Sequence, residues 1–126
     1  MTLQILIADD HDMVRETIAM FLDADGATNT VAASDLSEAL EKIRAEGPFD
    51  LVLLDYTMPG MKGLEGLQIA LEANGGKPVG LISGTATRLI AERALEMGAI
   101  GFLPKTLPAK SLVNAVRFMA AGETYA

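Results

Sequence analysis

Short apolar runs alternate with segments whose apolar residues recur at helical spacing along the whole chain. The apolar runs predict strands at 3–8, 28–33, 50–54, 79–83 and 100–103. Between them lie helical patterns such as Leu36, Ala39, Leu40 and Ile43, at i, i+3, i+4 and i+7. Near-continuous apolar strands are typical of parallel sheets that are covered on both faces. The pattern therefore predicts an α/β domain of five βα units, too few to close a barrel.

Capping and breaking residues predict where the helices begin and end. Ser34 is the expected N-cap of the second helix, and Pro108 the expected first-turn proline of the last helix. The third and fourth helices are expected at 63–73 and 89–97. The expected stops after the five helices are, in order, Gly26, Gly47 with Pro48, the segment 74–78, Gly98 and Gly122.

Three of the predicted strands run directly into charged residues. The first strand ends at Asp9 and Asp10, the third at Asp55 and the fifth at Lys105. Open α/β sheets bind their ligands just beyond the carboxyl ends of the strands, so these side chains should meet in one crevice. Three carboxylates and one ammonium predict a site for a divalent cation and a phosphoryl group. Asp55, on the central strand, is the expected attackable carboxylate.

Each of these residues also has a structural interpretation when it is taken alone. Asp9 and Asp10 are typical of acidic residues that cap a helix, and Asp55 of a polar strand end. Their occurrence together with Ser83 and Lys105, at four strand ends of one sheet, favours the functional interpretation. His11 follows two aspartates, but we expect it to point to solvent from the helix start rather than to ligate a metal.

Composition and charge narrow the functional classes. The sequence has 126 residues, 17 acidic against 10 basic, a net charge of -7 and no Cys. An acidic surface without a basic cluster argues against direct contact with nucleic acid. We expect one domain over 1–126, without a signal peptide or a membrane span, and by default a cytoplasmic location.

As a set, these residues resemble the receiver domain of two-component response regulators. The resemblance rests on Asp9 and Asp10, on Asp55 followed by 58–60 (Met-Pro-Gly), on Ser83, and on Phe102 three residues before Lys105. It covers essentially the whole chain. It implies a flavodoxin-like doubly wound sheet with strand order 2-1-3-4-5. Lys62 departs from the family, which commonly has an acidic or amide residue there.

The resemblance assigns roles around a Mg²⁺ cofactor. It makes Asp10 the more direct ligand, Asp9 a ligand largely through water, and the backbone carbonyl of Thr57 a further contact beside Asp55. Few carboxylates in an open crevice suit Mg²⁺ better than a closed calcium cage.

Asp55 is the expected phosphoacceptor. Lys105 would pair with the phosphoryl oxygens and Ser83 would donate its hydroxyl to them, which would allow Phe102 to turn inward as a switch residue. Thr57 and Thr85, two residues beyond Asp55 and Ser83, are expected to tune the lifetime of the phosphoryl group. Short hydroxyls activate water poorly, so these threonines predict slow self-dephosphorylation. The alternative is that Thr57 and Thr85 are simply good turn residues.

Thr106 after Lys105 and the ending 120–125 resemble the receivers that precede a DNA-binding output domain of the LuxR type, which would follow Ala126. Expected partners are therefore a sensor histidine kinase, a second copy upon phosphorylation, and DNA only through that output domain, with no membrane.

We expect no enzyme activity beyond self-phosphorylation and self-dephosphorylation. The alternatives are a stand-alone receiver acting by protein contact or a small aspartate-dependent phosphotransferase or phosphatase, although Thr57 stands where such enzymes carry a second acid. A flavodoxin-like nucleotide binder is disfavoured, because adjacent aspartates repel phosphate.

Overall fold

The computed structural model describes residues 3–24, 28–85 and 87–125. In these residues five strands and five helices alternate. The strands are β1 (Leu3–Ala8), β2 (Thr28–Ala33), β3 (Leu51–Asp55), β4 (Val79–Ser83) and β5 (Phe102–Pro104). The helices are α1 (Asp12–Asp23), α2 (Leu36–Glu46), α3 (Glu65–Ala73), α4 (Arg88–Met97) and α5 (Ala109–Ala120). Gly26 and Ala126, expected at a helix stop and at the linker, lie outside the described residues.

All five strands belong to one parallel sheet with the order β2-β1-β3-β4-β5. The predicted flavodoxin-like fold is therefore confirmed. The reversal of strand order occurs between β1 and β3, where ligands of such sheets bind. Asp9 follows β1 and Asp55 ends β3, so both aspartates lie at this reversal.

The two faces of the sheet are covered by different helices because successive strand residues point to opposite sides. In β1, Leu6 and Ala8 join a buried cluster with residues of α2, α3 and α4. Ile5 and Ile7 join a second cluster with residues of α1 and α5. Every residue of β3 and β4 is buried, which explains why these strands read as continuous apolar runs.

The starts of α2 and α3 differ from the prediction in informative ways. The N-cap of α2 is Asp35 rather than Ser34: its carboxylate accepts from the Glu38 backbone N–H at 2.7 Å, while Glu38 Oε1 accepts from the Ser34 N–H at 2.7 Å. These contacts resemble a capping box, except that the Glu38 side chain reaches the N–H of the residue before the N-cap. The third helix begins at Glu65 rather than 63, because Lys62 and Gly63 have φ values of 48° and 65°, outside the helical region.

The last strand and the last helix also refine the prediction. The strand is β5 over Phe102–Pro104, whereas the expectation was 100–103. Gly101 instead forms a bridge to Tyr125, whose backbone N–H donates to the Ile100 carbonyl at 2.8 Å. Pro108 is the N-cap of α5, one residue before the helix rather than in its first turn.

A buried amide ties α3 to the edge of the sheet opposite the strand ends that carry the aspartates. Asn74 is fully buried at the C-terminus of α3, and its Oδ1 accepts from the Phe49 backbone N–H at 2.8 Å. Its Nδ2 donates to the carbonyls of Phe49 and Pro78, at 3.1 and 3.4 Å. These bonds hold the segment that leads into β3.

The longest described helices have 12 residues, whereas a helix that crosses a bilayer needs about 20. Across the described ranges, none of the helices combines the length and apolar character needed to span a membrane.

Candidate functional site

Asp9, Asp55 and Lys105 meet at the carboxyl edge of the sheet, as the sequence predicted. The apolar strands β1, β3 and β5 bring them there because the three strands are parallel and close in the sheet. Lys105 Nζ lies 3.1 Å from Asp55 Oδ2 and 3.1 Å from Asp9 Oδ2. Both aspartates are fully buried and the lysine side chain is 15% exposed. The ammonium therefore pairs with two carboxylates at once.

These contacts determine the ionisation of the central pair. Burial alone would raise the pKa of Asp55, but hydrogen bonds from the Thr57 backbone N–H and from Lys105 outweigh it and hold that pKa below its ordinary value. For Lys105, burial alone would lower the pKa, but hydrogen bonds to Asp9 and Asp55 raise it above its ordinary value. Asp55 is thus an anion and Lys105 a cation near neutral pH.

Asp9, Asp10 and Asp55 form an acidic cluster that could hold a metal ion. Together with His11 they each offer one ligand atom, and these atoms all lie within 4.8 Å of one another. Asp10 is exposed, whereas Asp9 and Asp55 are buried. Asp9 Oδ2 accepts no hydrogen bond within the described residues, although it lies 3.1 Å from the ammonium. Hard carboxylate oxygens, one of them buried without a hydrogen bond, fit Mg²⁺.

The side chain of His11 is 60% exposed, which agrees with the expectation that it points to solvent, but its Nδ1 lies beside the acidic cluster. Its Nδ1 is 3.1 Å from Asp9 Oδ1, 3.3 Å from Asp10 Oδ1 and 3.8 Å from Asp55 Oδ2. As the N-cap of α1 it has an extended backbone, and its N–H donates to Asp9 Oδ1 at 2.8 Å. This turn folds the ring back over the carboxylates, a geometry that residue spacing alone does not reveal.

Arg15 is a contributor that the sequence analysis missed. Its guanidinium donates to the Asp9 carbonyl and to the Asp12 carboxylate, both at 2.6 Å. These bonds fix the turn between β1 and α1, and so the direction of the Asp9 side chain. The only sequence signal was an acidic residue three positions before an arginine at a helix start.

Ser83, Thr57 and Thr85 lie around the same strand ends. Ser83 ends β4 and is buried, and its Oγ accepts from the Thr85 backbone N–H at 3.2 Å. The Thr57 N–H and hydroxyl donate to Asp55 Oδ1 at 3.2 and 3.1 Å. Asp55 Oδ1 is therefore held by Thr57, while Oδ2 faces Lys105. The roles assigned to the Thr57 carbonyl and to Thr85 stay predictions.

Phe102 is half-buried on β5 and packs against the cluster formed with α2, α3 and α4. Its ring centroid is 6.5 Å from that of Tyr56, the residue after Asp55, at an interplanar angle of 56°. Tyr56 in turn lines a groove of about 710 Å³ with residues of α3 and α4. An aromatic pair thus connects the acidic cluster with the surface of α4 and β5.

The family model described as the response regulator receiver domain matches residues 5–117. This chain belongs to the response regulator receiver family. Its relatives include response regulators of the NarL type and of the LuxR family.

Two related sequences illustrate the extent of the match. The transcriptional regulatory protein NarL of Mycobacterium tuberculosis is 38% identical over 120 residues, which are 94% of this chain and 55% of that protein. The glycerol metabolism activator of Pseudomonas putida is 33% identical over 123 residues, 97% of this chain and 56% of that protein. This chain spans just over half the length of both relatives.

Two solved structures show the same fold. The signal receiver domain of the response regulator NarL from Mycobacterium tuberculosis has a TM-score of 0.85 at 36% identity, covering 97% of this chain and 98% of that one. A LuxR-family two-component response regulator from Aurantimonas sp. SI85-9A1 has a TM-score of 0.86 at 30% identity, covering 98% of this chain and 89% of that one.

Proposed function

We propose that this receiver domain is a phosphorylation-dependent switch that accepts a phosphoryl group on Asp55 from a sensor histidine kinase. The observation that carries the proposal is the position of Asp55, which is fully buried, ionised and in contact with Lys105 at 3.1 Å. A bound Mg²⁺, held by Asp9, Asp10 and Asp55, would neutralise the charges that keep carboxylate and phosphoryl oxygens apart.

The chain's own residues perform the rest of the transfer. A carboxylate oxygen of Asp55 forms a bond to phosphorus, and the P–N bond of the donor phosphohistidine breaks with the electron pair leaving on the imidazole. Lys105 neutralises the transferred phosphoryl oxygens and Ser83 donates its hydroxyl to them. Transfer through a loose transition state needs positioning and charge neutralisation more than a general base.

Phosphorylation would then change the surface of α4, β5 and α5. Movement of Ser83 towards the phosphoryl group opens space for Phe102, whose ring already contacts Tyr56. A ligand shifts a population only through differential contacts, and the new bonds of Ser83 and Lys105 supply them. The changed surface would control a LuxR-type DNA-binding output domain in the cytoplasm, with a second copy as a further partner. Acting as a stand-alone receiver through protein contacts is the alternative.

An enzyme acting on external phosphate esters is the weaker candidate. In Asp-x-Asp enzymes a second acid protonates the leaving group, whereas here Thr57 occupies that position and donates its hydroxyl to Asp55 Oδ1 at 3.1 Å. We therefore propose that catalysis is limited to gaining and losing a phosphoryl group.

Phosphotransfer from a radiolabelled histidine kinase tests the function directly. Wild type should acquire label in Mg²⁺ and lose that ability in EDTA, while Asp55→Asn should acquire none. The isosteric Asn preserves the shape of the site, so label on Asp55→Asn would contradict the proposal. Glu41→Gln, at an exposed residue of α2, is a matched control that removes one carboxylate away from the site and should acquire label as wild type does.

A further inference from the structure

We propose that Asn74 is a site of spontaneous deamidation, protected while the C-terminal end of α3 is closed and modified when that end opens. Asparagine is a thermolabile residue, and a following glycine makes it more labile because glycine has no side chain to hinder attack by its backbone nitrogen. Asn74 and Gly75 form such a pair at the end of α3. The pair lies at the edge of the sheet opposite Asp55, and the inference is independent of phosphorylation.

The fold requires both members of this pair. Asn74 is fully buried, and its side chain accepts from one backbone N–H while it donates to two carbonyl groups. An amide side chain can do both, whereas an ionised carboxylate has no proton to donate. Gly75 has a φ of 64°, in the left-handed region that favours glycine. The turn therefore contains a labile dipeptide for structural reasons.

The reaction joins the two residues through a ring. The backbone nitrogen of Gly75 attacks Cγ of Asn74 and a new C–N bond forms. The bond from Cγ to Nδ2 breaks, and the Gly75 amide proton leaves with the side-chain nitrogen as ammonia. Water then opens the succinimide ring at either carbonyl and yields aspartate or isoaspartate. Water is the only co-reactant, so the step needs neither an enzyme nor a cofactor.

Two sets of hydrogen bonds oppose this reaction in the closed structure. Asn74 Oδ1 accepts from the Phe49 N–H at 2.8 Å, and Nδ2 donates to the carbonyls of Phe49 and Pro78 at 3.1 and 3.4 Å. These bonds hold Cγ in place inside the protein. The attacking nitrogen is also engaged, because the Gly75 N–H donates to the Glu72 carbonyl at 3.2 Å. Ring closure therefore requires that both sets break.

The turn that follows Asn74 lies at the surface, where such opening costs least. Residues 75–77 are exposed. Chain neighbours aside, no atom of the described residues lies within 4 Å of the place that a Cβ would take at Gly75 or Gly76. Helix ends and exposed turns open locally at a lower cost than the core does. When opening and closing are faster than the chemistry, the rate of modification follows the population of the open form.

Deamidation would also prevent the turn from closing again. An ionised carboxylate would put a negative oxygen where Nδ2 now donates to the carbonyls of Phe49 and Pro78. A buried charge that faces carbonyl oxygens without a donor or a cation is strongly unfavourable. Isoaspartate would in addition lengthen the backbone by one carbon. The modification therefore separates chains that have opened at this turn from those that have stayed closed.

Peptide mapping by mass spectrometry tests the proposal on the wild-type chain. In guanidinium chloride above the unfolding midpoint, Asn74 should show the mass change from amide to acid. Asn29 and Asn114, which precede Thr30 and Ala115, should stay unmodified over the same period. Without denaturant the modification of Asn74 should be at least tenfold slower. Equal rates in both conditions, or no modification of Asn74 in denaturant, would overturn the proposal.

Two variants test the reaction and its consequence. In denaturant, where folded-state strain has no effect, Gly75→Ala should slow the modification of Asn74, and an unchanged rate would overturn the assigned reaction. Asn74→Asp should unfold at a lower urea concentration than wild type. Asn114→Asp, at an exposed residue of α5, is the matched control for one added negative charge and should leave the midpoint nearly unchanged. A midpoint of Asn74→Asp equal to that of wild type would overturn the claim that the product prevents closing.

Discussion

Lys105→Met should destabilise the protein in EDTA, and Mg²⁺ should remove much of the deficit. The substitution retains most of the apolar stem of the side chain and removes its charge. Asp9 and Asp55, both fully buried, lose the ammonium that lies 3.1 Å from an oxygen of each. Two carboxylates then face each other in the absence of a cation.

The size of the stability loss expected for Lys105→Met follows from these distances. At an effective dielectric constant of about 20, unit charges about 3 Å apart attract by about 5 kcal/mol, and Lys105 makes two such contacts. Desolvation of the ammonium offsets several kcal/mol of this attraction. The lysine is also partly exposed, which weakens the pairing further. We expect a net loss of about 2–3 kcal/mol, at or just below the lower end of the roughly 3–5 kcal/mol found for removing one member of a fully buried pair.

Urea denaturation followed by circular dichroism measures this loss in EDTA and in Mg²⁺. Mg²⁺ should stabilise Lys105→Met more than wild type, because the ammonium no longer competes for the same oxygens. Lys110→Met, at an exposed residue of α5, is the control for losing one positive charge. The reasoning would be refuted if Lys105→Met were as stable as wild type in EDTA, or if Mg²⁺ stabilised both proteins equally.

The hydrogen bonds to Asp55 also predict how the stability of the protein changes at acidic pH. The pKa of Asp55 is lowered in the folded state because hydrogen bonds from Thr57 and Lys105 outweigh its burial. The ionised Asp55 carboxylate therefore contributes to stability above its unfolded-state pKa of 3.8. This contribution is lost as the pH falls through the lower pKa that Asp55 has in the folded state. Lys105→Met should lose less stability over this interval than wild type does. An unchanged slope would contradict the assigned cause.

Three further changes test separate parts of the structure. Asn74→Ala should lower the free energy of unfolding by about 2–3 kcal/mol, because it leaves the Phe49 N–H and C=O without their buried partner. An unchanged urea midpoint would contradict this expected loss of stability. Beryllofluoride, a phosphoryl mimic, should change the aromatic NMR shifts of Phe102, and an identical ring environment in both forms would exclude this residue as the switch. Thr57→Asn and Thr85→Glu should accelerate hydrolysis of the phosphoryl group, since they place an amide or a carboxylate near the attacking water. A wild-type half-life of seconds that neither substitution alters would refute the role of Thr57 and Thr85 in setting the lifetime.

The sequence predicted the sheet and the meeting of the charged strand ends because both depend on local patterns. A strand covered on both faces is apolar along nearly its whole length, so the runs at 50–54 and 79–83 predicted β3 and β4, although β3 lies one residue further on, at Leu51–Asp55. Once the strands are parallel, Asp9, Asp55 and Lys105 must converge. The helix starts were less predictable, since Ser34 and Asp35 are both good capping residues and only the bonds to Glu38 distinguish their roles.

Side-chain direction was the part that the sequence did not predict. His11 was expected in solvent, and its side chain is 60% exposed, but its position at a helix start did not reveal that Nδ1 lies 3.1 Å from Asp9 Oδ1. The backbone bond from its N–H to Asp9 Oδ1 directs that nitrogen towards the carboxylates. The bridge from Tyr125 to Gly101 was missed for a related reason: it joins residues far apart in sequence and has no periodic signal.

Mass spectrometry after borohydride trapping is the most direct measurement of the central claim. Wild type incubated with acetyl phosphate and Mg²⁺ should carry the trapped modification on the peptide that contains Asp55, and on that residue. Asp55→Ala should carry none, and omission of Mg²⁺ should abolish the signal in wild type. A modification on Asp9 or Asp10, or labelling that persists in Asp55→Ala, would contradict the account.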